Sequence, residues 1–372
     1  MTAAPDASSL QHLSDIAARR FPLVARAQVI GRPLQVRTDQ IRARADQAAA
    51  GGPDMLVRAC EALNLAALTA SDCGLPDLAR AWCWDQFDLL HQARPHPLDT
   101  AKLTLQPIIN LARLRIRDGD GEAAWRLLED LFSAIRTRAD TELDGRPVSF
   151  HDFTRSDELG ELCQWLWEVL LNDGLRALAR ASRWQQAHAQ AEQLRGIGTR
   201  LGDGRQIAIL ATCLTGRSDK ALNLLSGSHI TEPWEEAVVS CLTVLCLRSE
   251  GTTATAQARQ LINRYLAFSR EEVPELAAFT TRLGLAVLDL LDEPDARTAV
   301  HDRLVGLAVS PGGSYAARDV LAHPICAANL DEGQNAALDA VVRGSGLGRG
   351  RLPSEVFECV AVSMAALTSS SN

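Results

Sequence analysis

Between Leu98 and Arg117 the polar residues Lys102, Gln106, Asn110, Arg113 and Arg117 recur at steps of four, four, three and four, which sets them along one face of a helix. Leu103, Ile108, Leu111 and Leu114 take the apolar positions between them. Lysine and arginine donate to anions, while asparagine and glutamine each offer a donor and an acceptor. Such a face suits a carboxylate or an extended peptide backbone. The plainer alternative is a solvated helix face, and Pro107 predicts a kink that separates Lys102 from the later members. Asn64 in an earlier helix, and Arg205 with Gln206 in a later one, extend the same candidate surface.

Other constellations that carry chemistry are missing. There is no nucleophile elbow, phosphate-binding loop, HExxH pair or Glu-x-x-His pair. Asp118-Gly119-Asp120-Gly121-Glu122 begins like a calcium loop, but Ala123 stands where the sharp turn needs glycine and Arg126 where a ligand should be, so it reads as an inter-helix turn. The glycines and arginines of Gly344 to Arg351 follow a helix, not a strand, and read as a flexible linker, not a dinucleotide cradle. His91 with His96, and His323 with Cys326, are too few ligands for zinc. The expectation is no catalytic residue, no metal and no cofactor.

Composition narrows the classes further. The chain has 372 residues, 47% hydrophobic and 23% charged, with net charge −8, which fits a globular protein and disfavours non-specific nucleic-acid binding. Of its 38 cations, 36 are arginines; the lysines are Lys102 and Lys220. Such an imbalance, in a chain rich in alanine and leucine, reads as coding bias and not as chemistry. Nine scattered cysteines without a CxxC pair read as buried free thiols in a reducing compartment. No signal peptide or uncharged span of membrane length is visible, so the expectation is a cytoplasmic protein with no membrane partner.

To position the polar stripe, the chain from about Asp54 onward must supply helix after helix, with apolar residues at three- and four-residue spacing and breaks at Gly, Pro, Asp or Ser. Ala27 to Arg37 reads as a loop or small hairpin. In five places a long helix ends in a short polar turn and a second helix begins with alanine: Ala79, Ala124, Ala187, Ala221 and Ala256. Their intervals are 45, 63, 34 and 35 residues, the excess falling in a loop from Asp140 to Ser156. Small residues there let paired helices cross closely. The expected organisation is a partly helical extension over 1–53, helical repeats over 54–268 and a helical cap or continuation over 269–372. Trp82, Trp84 and Phe87 read as packing residues, with Trp84 and Phe87 on one face; of Trp165 and Trp167, two apart, one is expected at the surface.

The last two intervals match the period of tetratricopeptide repeats. The stretches Ala62 to Leu68, Asp72 to Arg80, Asp203 to Gln206 and Thr231 to Glu235 are similar to actinobacterial tetratricopeptide-like proteins, some of which carry an N-terminal helix-turn-helix that has no counterpart before residue 50 here. The resemblance implies an all-α fold, a right-handed α-solenoid of antiparallel helix pairs whose first helices line a concave groove. By residue type the stripe resembles the carboxylate clamp of peptide-binding domains of that family. The function expected is a non-catalytic adaptor or ligand-sensing module that binds a peptide or acidic protein segment through Asn64, Lys102, Gln106, Asn110, Arg113, Arg205 and Gln206. The competing expectation is an accessory or cofactor-free enzyme of a bacterial biosynthetic pathway acting on a peptide or small metabolite in a helical pocket, with Asp85, His91 and Glu235 as acid–base groups. A third is a homo-oligomer joined through the C-terminal helices.

Overall fold

A computed structural model describes residues 7–27, 30–270, 273–291 and 294–370. In chain order the helices are α1 (Ala7–Arg20), α2 (Leu34–Ala49), α3 (Met55–Asp72), α4 (Pro76–His91), α5 (Leu98–Arg117), α6 (Gly121–Thr137), α7 (Leu159–Val169), α8 (Leu175–Arg180), α9 (Trp184–Gln193) and α10 (Asp203–Cys213). They continue as α11 (Ser218–Ser226), α12 (Pro233–Arg248), α13 (Thr255–Phe268), α14 (Ala277–Asp289), α15 (Pro294–Val309), α16 (Ser314–Ala322), α17 (Pro324–Asn329), α18 (Glu332–Ser345) and α19 (Ser354–Ser370). Among the described residues the only sheet is a two-stranded one, β1 (Asp140–Leu143) with β2 (Arg146–Ser149). The protein is all-α, as its periodicity predicts. Among the described residues no helix is long and apolar enough to cross a membrane.

The chain divides into two compact units. One comprises Met1–Arg32 and Leu178–Val342, here called the first unit; the second comprises Pro33–Ala177 and Arg343–Asn372.

In the second unit, successive helices α2 to α6 pack against their neighbours in the chain, and α19 lies on α2 and α3. The first helices of consecutive pairs also touch: α3 meets α5, and α5 meets α7. The alanines at the starts of the second helices, Ala79 and Ala124, are fully buried, as close crossing requires. Local signals start and stop these helices: Pro76 opens α4, and the Asp120 side chain accepts the Ala123 N–H at 3.1 Å to cap α6. Trp84 and Phe87 do share a face, with ring centroids 5.8 Å apart, while Trp82 packs edge-on against Phe357 of α19. Trp165 and Trp167 are both half-buried, so neither stands out as the exposed one.

Two loop expectations in this unit need correcting. The insertion after α6 is not irregular: Asp144 and Gly145 both take positive φ, 55° and 81°, which is the two-residue hairpin turn that aligns β1 with β2. The glycine-rich stretch is not a free linker either. The Gly348 N–H donates to the Asp72 carbonyl at 2.8 Å and the Gly350 N–H to the Cys73 carbonyl at 2.6 Å, closing the C-terminal end of α3. Gly346 is needed there twice over: its φ is +76°, and a Cβ would come within 2.9 Å of Leu34 Cδ2.

In the first unit the helices from α9 to α13 again pack in sequence, and α10 meets α12, α12 meets α14, and α14 meets α16. Ala187 and Ala221 are fully buried, but Ala256 is exposed, because α13 starts only at Thr255 and turns its first residues outward. The Ala27 to Arg37 stretch divides. Ala27 and residues 30–33 are non-helical with one bridge, Gly31 to Gly313, α2 starts at Leu34, and 28–29 lie outside the described residues.

Candidate functional site

The stripe on α5 forms as its spacing predicts. Leu105, Ile108, Ile109, Leu111 and Ala112 have no exposed surface, and burying them turns Lys102, Gln106, Asn110, Arg113 and Arg117 away from the core. α5 runs unbroken through Pro107, so Lys102 stays in the same helix as the rest. What the proline does is withhold an N–H from the Leu103 carbonyl, one residue from Lys102.

The side chains of the stripe reach across to the neighbouring first helix. Asn110 Nδ2 donates to Asn64 Oδ1 of α3 at 3.0 Å, and Gln106 Nε2 donates to Asn110 Oδ1 at 3.2 Å. This chain of three half-buried amides has unused capacity at its ends: among the described residues, Gln106 Oε1 has no donor and Asn64 Nδ2 no acceptor.

The arginines behave differently. Arg113 donates through Nη2 and Nε to Asp173 Oδ2, at 2.8 and 3.2 Å. Asp173 lies in a π-helical turn, Leu170–Gly174, that follows α7. Arg117 binds Asp72 Oδ1 at 2.8 Å and Ser71 Oγ at 3.0 Å, while Arg37 takes the other Asp72 oxygen at 2.7 Å. The Asp72 side chain is completely buried between the two guanidiniums. Pairing therefore offsets much of the basic character expected of the stripe. Among the described residues Lys102, half-buried, is the one cation of the stripe without a carboxylate partner.

Arg205 and Gln206 belong to α10, in the first unit, and are spent on internal bonds. Arg205 donates to the Leu224 carbonyl at 2.5 Å and to Ser228 Oγ at 3.2 Å, closing the end of α11. Gln206 is fully buried: its Oε1 accepts the Leu23 N–H at 2.7 Å, and its Nε2 donates to the Leu23 carbonyl at 2.7 Å and to the Leu201 carbonyl at 3.0 Å. Periodicity alone does not separate them from the stripe, because it says nothing of the non-helical residues 21–27 that α10 holds.

Of the acid–base candidates, Asp85 and His91 stand on α4 of the second unit. His91 sits in an aromatic cluster, its ring stacked on Phe87 at 4.8 Å and near Phe150 and Phe153, with His96 against Phe153. Burial, followed by the Arg94 charge, pushes both histidines down to about 4, and neither His91 Nδ1 nor His96 Nε2 has a partner. Asp85 is exposed and raised by partial burial and by Asp88. Glu235, in the first unit, is buried; burial alone would raise its carboxyl, but the N–H groups of Thr231 and Glu232 together with Arg200 hold it below the usual range. It is the third residue of α12 and closes a capping box whose N-cap is Glu232.

His323 Nε2 lies 3.0 Å from Asp289 Oδ1, and its Nδ1 accepts the Cys326 N–H at 3.4 Å at the start of α17. Cys326 itself is fully buried, with its thiol pushed up to about 12 by burial. Among the described residues no group of three or more His, Cys, Asp or Glu side chains is placed to hold a metal ion. All nine cysteines are free thiols. Comparison of the chain with protein-family models, with curated proteins and with solved structures found no match.

Proposed function

We propose that the chain is a non-catalytic binding module, an α-solenoid of helix pairs of the tetratricopeptide type, whose α5 face together with Asn64 takes an extended peptide that carries a carboxylate. The observation that carries the reading is the amide chain Asn64–Asn110–Gln106, which ends in an unused donor at Asn64 and an unused acceptor at Gln106, beside Lys102. An extended backbone presents the complementary C=O and N–H groups whatever side chains it carries. Lys102 then selects for acid. Arg113 and Arg117, already paired, hold the neighbouring helices in place and leave Lys102 as the charge the ligand meets.

Magnitudes set what such a face does alone. Two neutral hydrogen bonds of about 1 kcal/mol each and one charge-assisted bond of about 2 kcal/mol give about 4 kcal/mol, which corresponds to millimolar binding. A useful affinity therefore needs the ligand's side chains to bury apolar surface as well. Selection from a displayed library of random peptides tests the proposal. The unaltered chain should enrich sequences with Asp or Glu, and a chain carrying Asn64→Ala and Lys102→Ala should not. No enrichment over background, or the same set enriched by the double variant, would sink it.

A further inference from the structure

The first unit holds a peptide already, and it is the chain's own. Between α1 and α2 the residues Phe21 to Ala27 are non-helical, and their backbone is answered by a side chain instead of by a strand: both polar groups of Leu23 are bonded to the amide of Gln206. Phe21, Pro22 and Leu23 are buried, the first and third at 2% and 1% exposure. Three residues on, the Arg26 guanidinium pairs with Asp203, whose side chain is 4% exposed, in the first turn of the same α10. One helix turn thus supplies a backbone reader and a buried carboxylate for a cation, the two parts of a site for an extended segment.

The flanks of the segment are fastened independently. Arg180 donates to the Ala18 and Arg19 carbonyls at 3.4 and 3.1 Å, and Arg20 pairs with Asp289 at 2.7 Å. Trp184 Nε1 donates to Ser14 Oγ at 3.1 Å, and after the segment Gly31 bridges to Gly313. None of these contacts is made by Phe21 to Arg26 themselves.

We propose that Asp203 and Gln206 form a recognition site for an extended segment of the pattern aromatic–Pro–aliphatic–x–x–Arg, that residues 21–26 are its resident occupant, and that a partner protein carrying the same pattern displaces them. The inference does not rest on the α5 face, which lies in the other unit. A tethered occupant acts at an effective concentration on the order of millimolar, so a free peptide competes poorly until the resident segment is weakened.

Binding of a fluorescein-labelled peptide spanning Ala18 to Ala27 to the full chain, followed by anisotropy, tests this. The unaltered chain should bind weakly. Chains carrying Leu23→Asp or Arg26→Ala, in which the resident segment is damaged and α10 is intact, should bind at least tenfold and at least threefold more tightly. A peptide carrying Arg26→Ala should lose most of the gain, because it cannot pair with Asp203. No gain in either variant overturns the proposal, since the segment is then ordinary core; so does a gain that the altered peptide reproduces in full.

Discussion

Gln206 and Leu23 form a closed pair, in which the one side chain accepts the N–H and donates to the C=O of the other residue, both at 2.7 Å, with neither residue more than 1% exposed. Glutamine is suited to this because donor and acceptor project from one planar group. A backbone amide and carbonyl that no strand pairs are thereby satisfied without water.

Replacing Gln206 by alanine leaves the Leu23 N–H and the Leu23 and Leu201 carbonyls without their side-chain partner. Each unsatisfied buried group costs about 1–3 kcal/mol, but a non-helical segment, still anchored by Arg26 on Asp203 and by its flanks, opens locally at Leu23 and recovers water as a partner. The expected result is a rise of about thirtyfold or more in amide exchange at Leu23, equivalent to about 2 kcal/mol, with the amides of α12 and α14 unchanged. Exchange measured by mass spectrometry or NMR checks both halves.

Asp72 and Arg117 should respond very differently to removal, although they are partners. Asp72→Ala strands the Arg37 guanidinium, whose side chain is 7% exposed, beside no anion, and should cost about 3–5 kcal/mol in urea unfolding. Arg117→Ala removes a cation 41% exposed and leaves Asp72 its Arg37 partner, so its cost should stay under about 1 kcal/mol.

The histidine cluster sets a pH dependence with a definite sign. His91 and His96 are pushed from 6.5 to about 4, so in acid the unfolded chain takes up their protons before the folded one does. Their contribution is fully present above about pH 6.5 and is lost as pH falls from there to about 4. Denaturation midpoints measured across that window should fall with pH. His96→Phe, which keeps an aromatic ring against Phe153, should flatten the decline.

Much of the architecture is written in the sequence as period and punctuation. The 3.6-residue spacing in Leu98 to Arg117 predicts both the helix and the face on which Lys102, Gln106 and Asn110 appear, and a buried alanine marks the start of α4, α6, α9 and α11. Partners are less legible than faces. Nothing in the spacing of the stripe says that Arg113 meets Asp173, 60 residues away in a π turn, or that two arginines enclose Asp72, because such pairs depend on how separate helices register. Gln206 shows the limit most plainly. Its type suits peptide recognition, yet its burial follows from Phe21 to Leu23, a short apolar run with a proline that no helical or alternating period marks. The Asp144-Gly145 turn is more legible, since that dipeptide is a hairpin signal in its own right.

The side-chain amide signals of Asn64 and Gln106, followed by NMR while a peptide selected on the protein is titrated in, report directly on whether the α5 face binds it. If the α5 face is the peptide site, both signals shift along with the titration and saturate at the same peptide concentration, and Lys102→Ala moves that concentration upward about tenfold or more, as loss of a charge-assisted bond of about 2 kcal/mol requires. Saturation of the protein with the Asn64 and Gln106 signals unmoved would place the peptide somewhere other than α5.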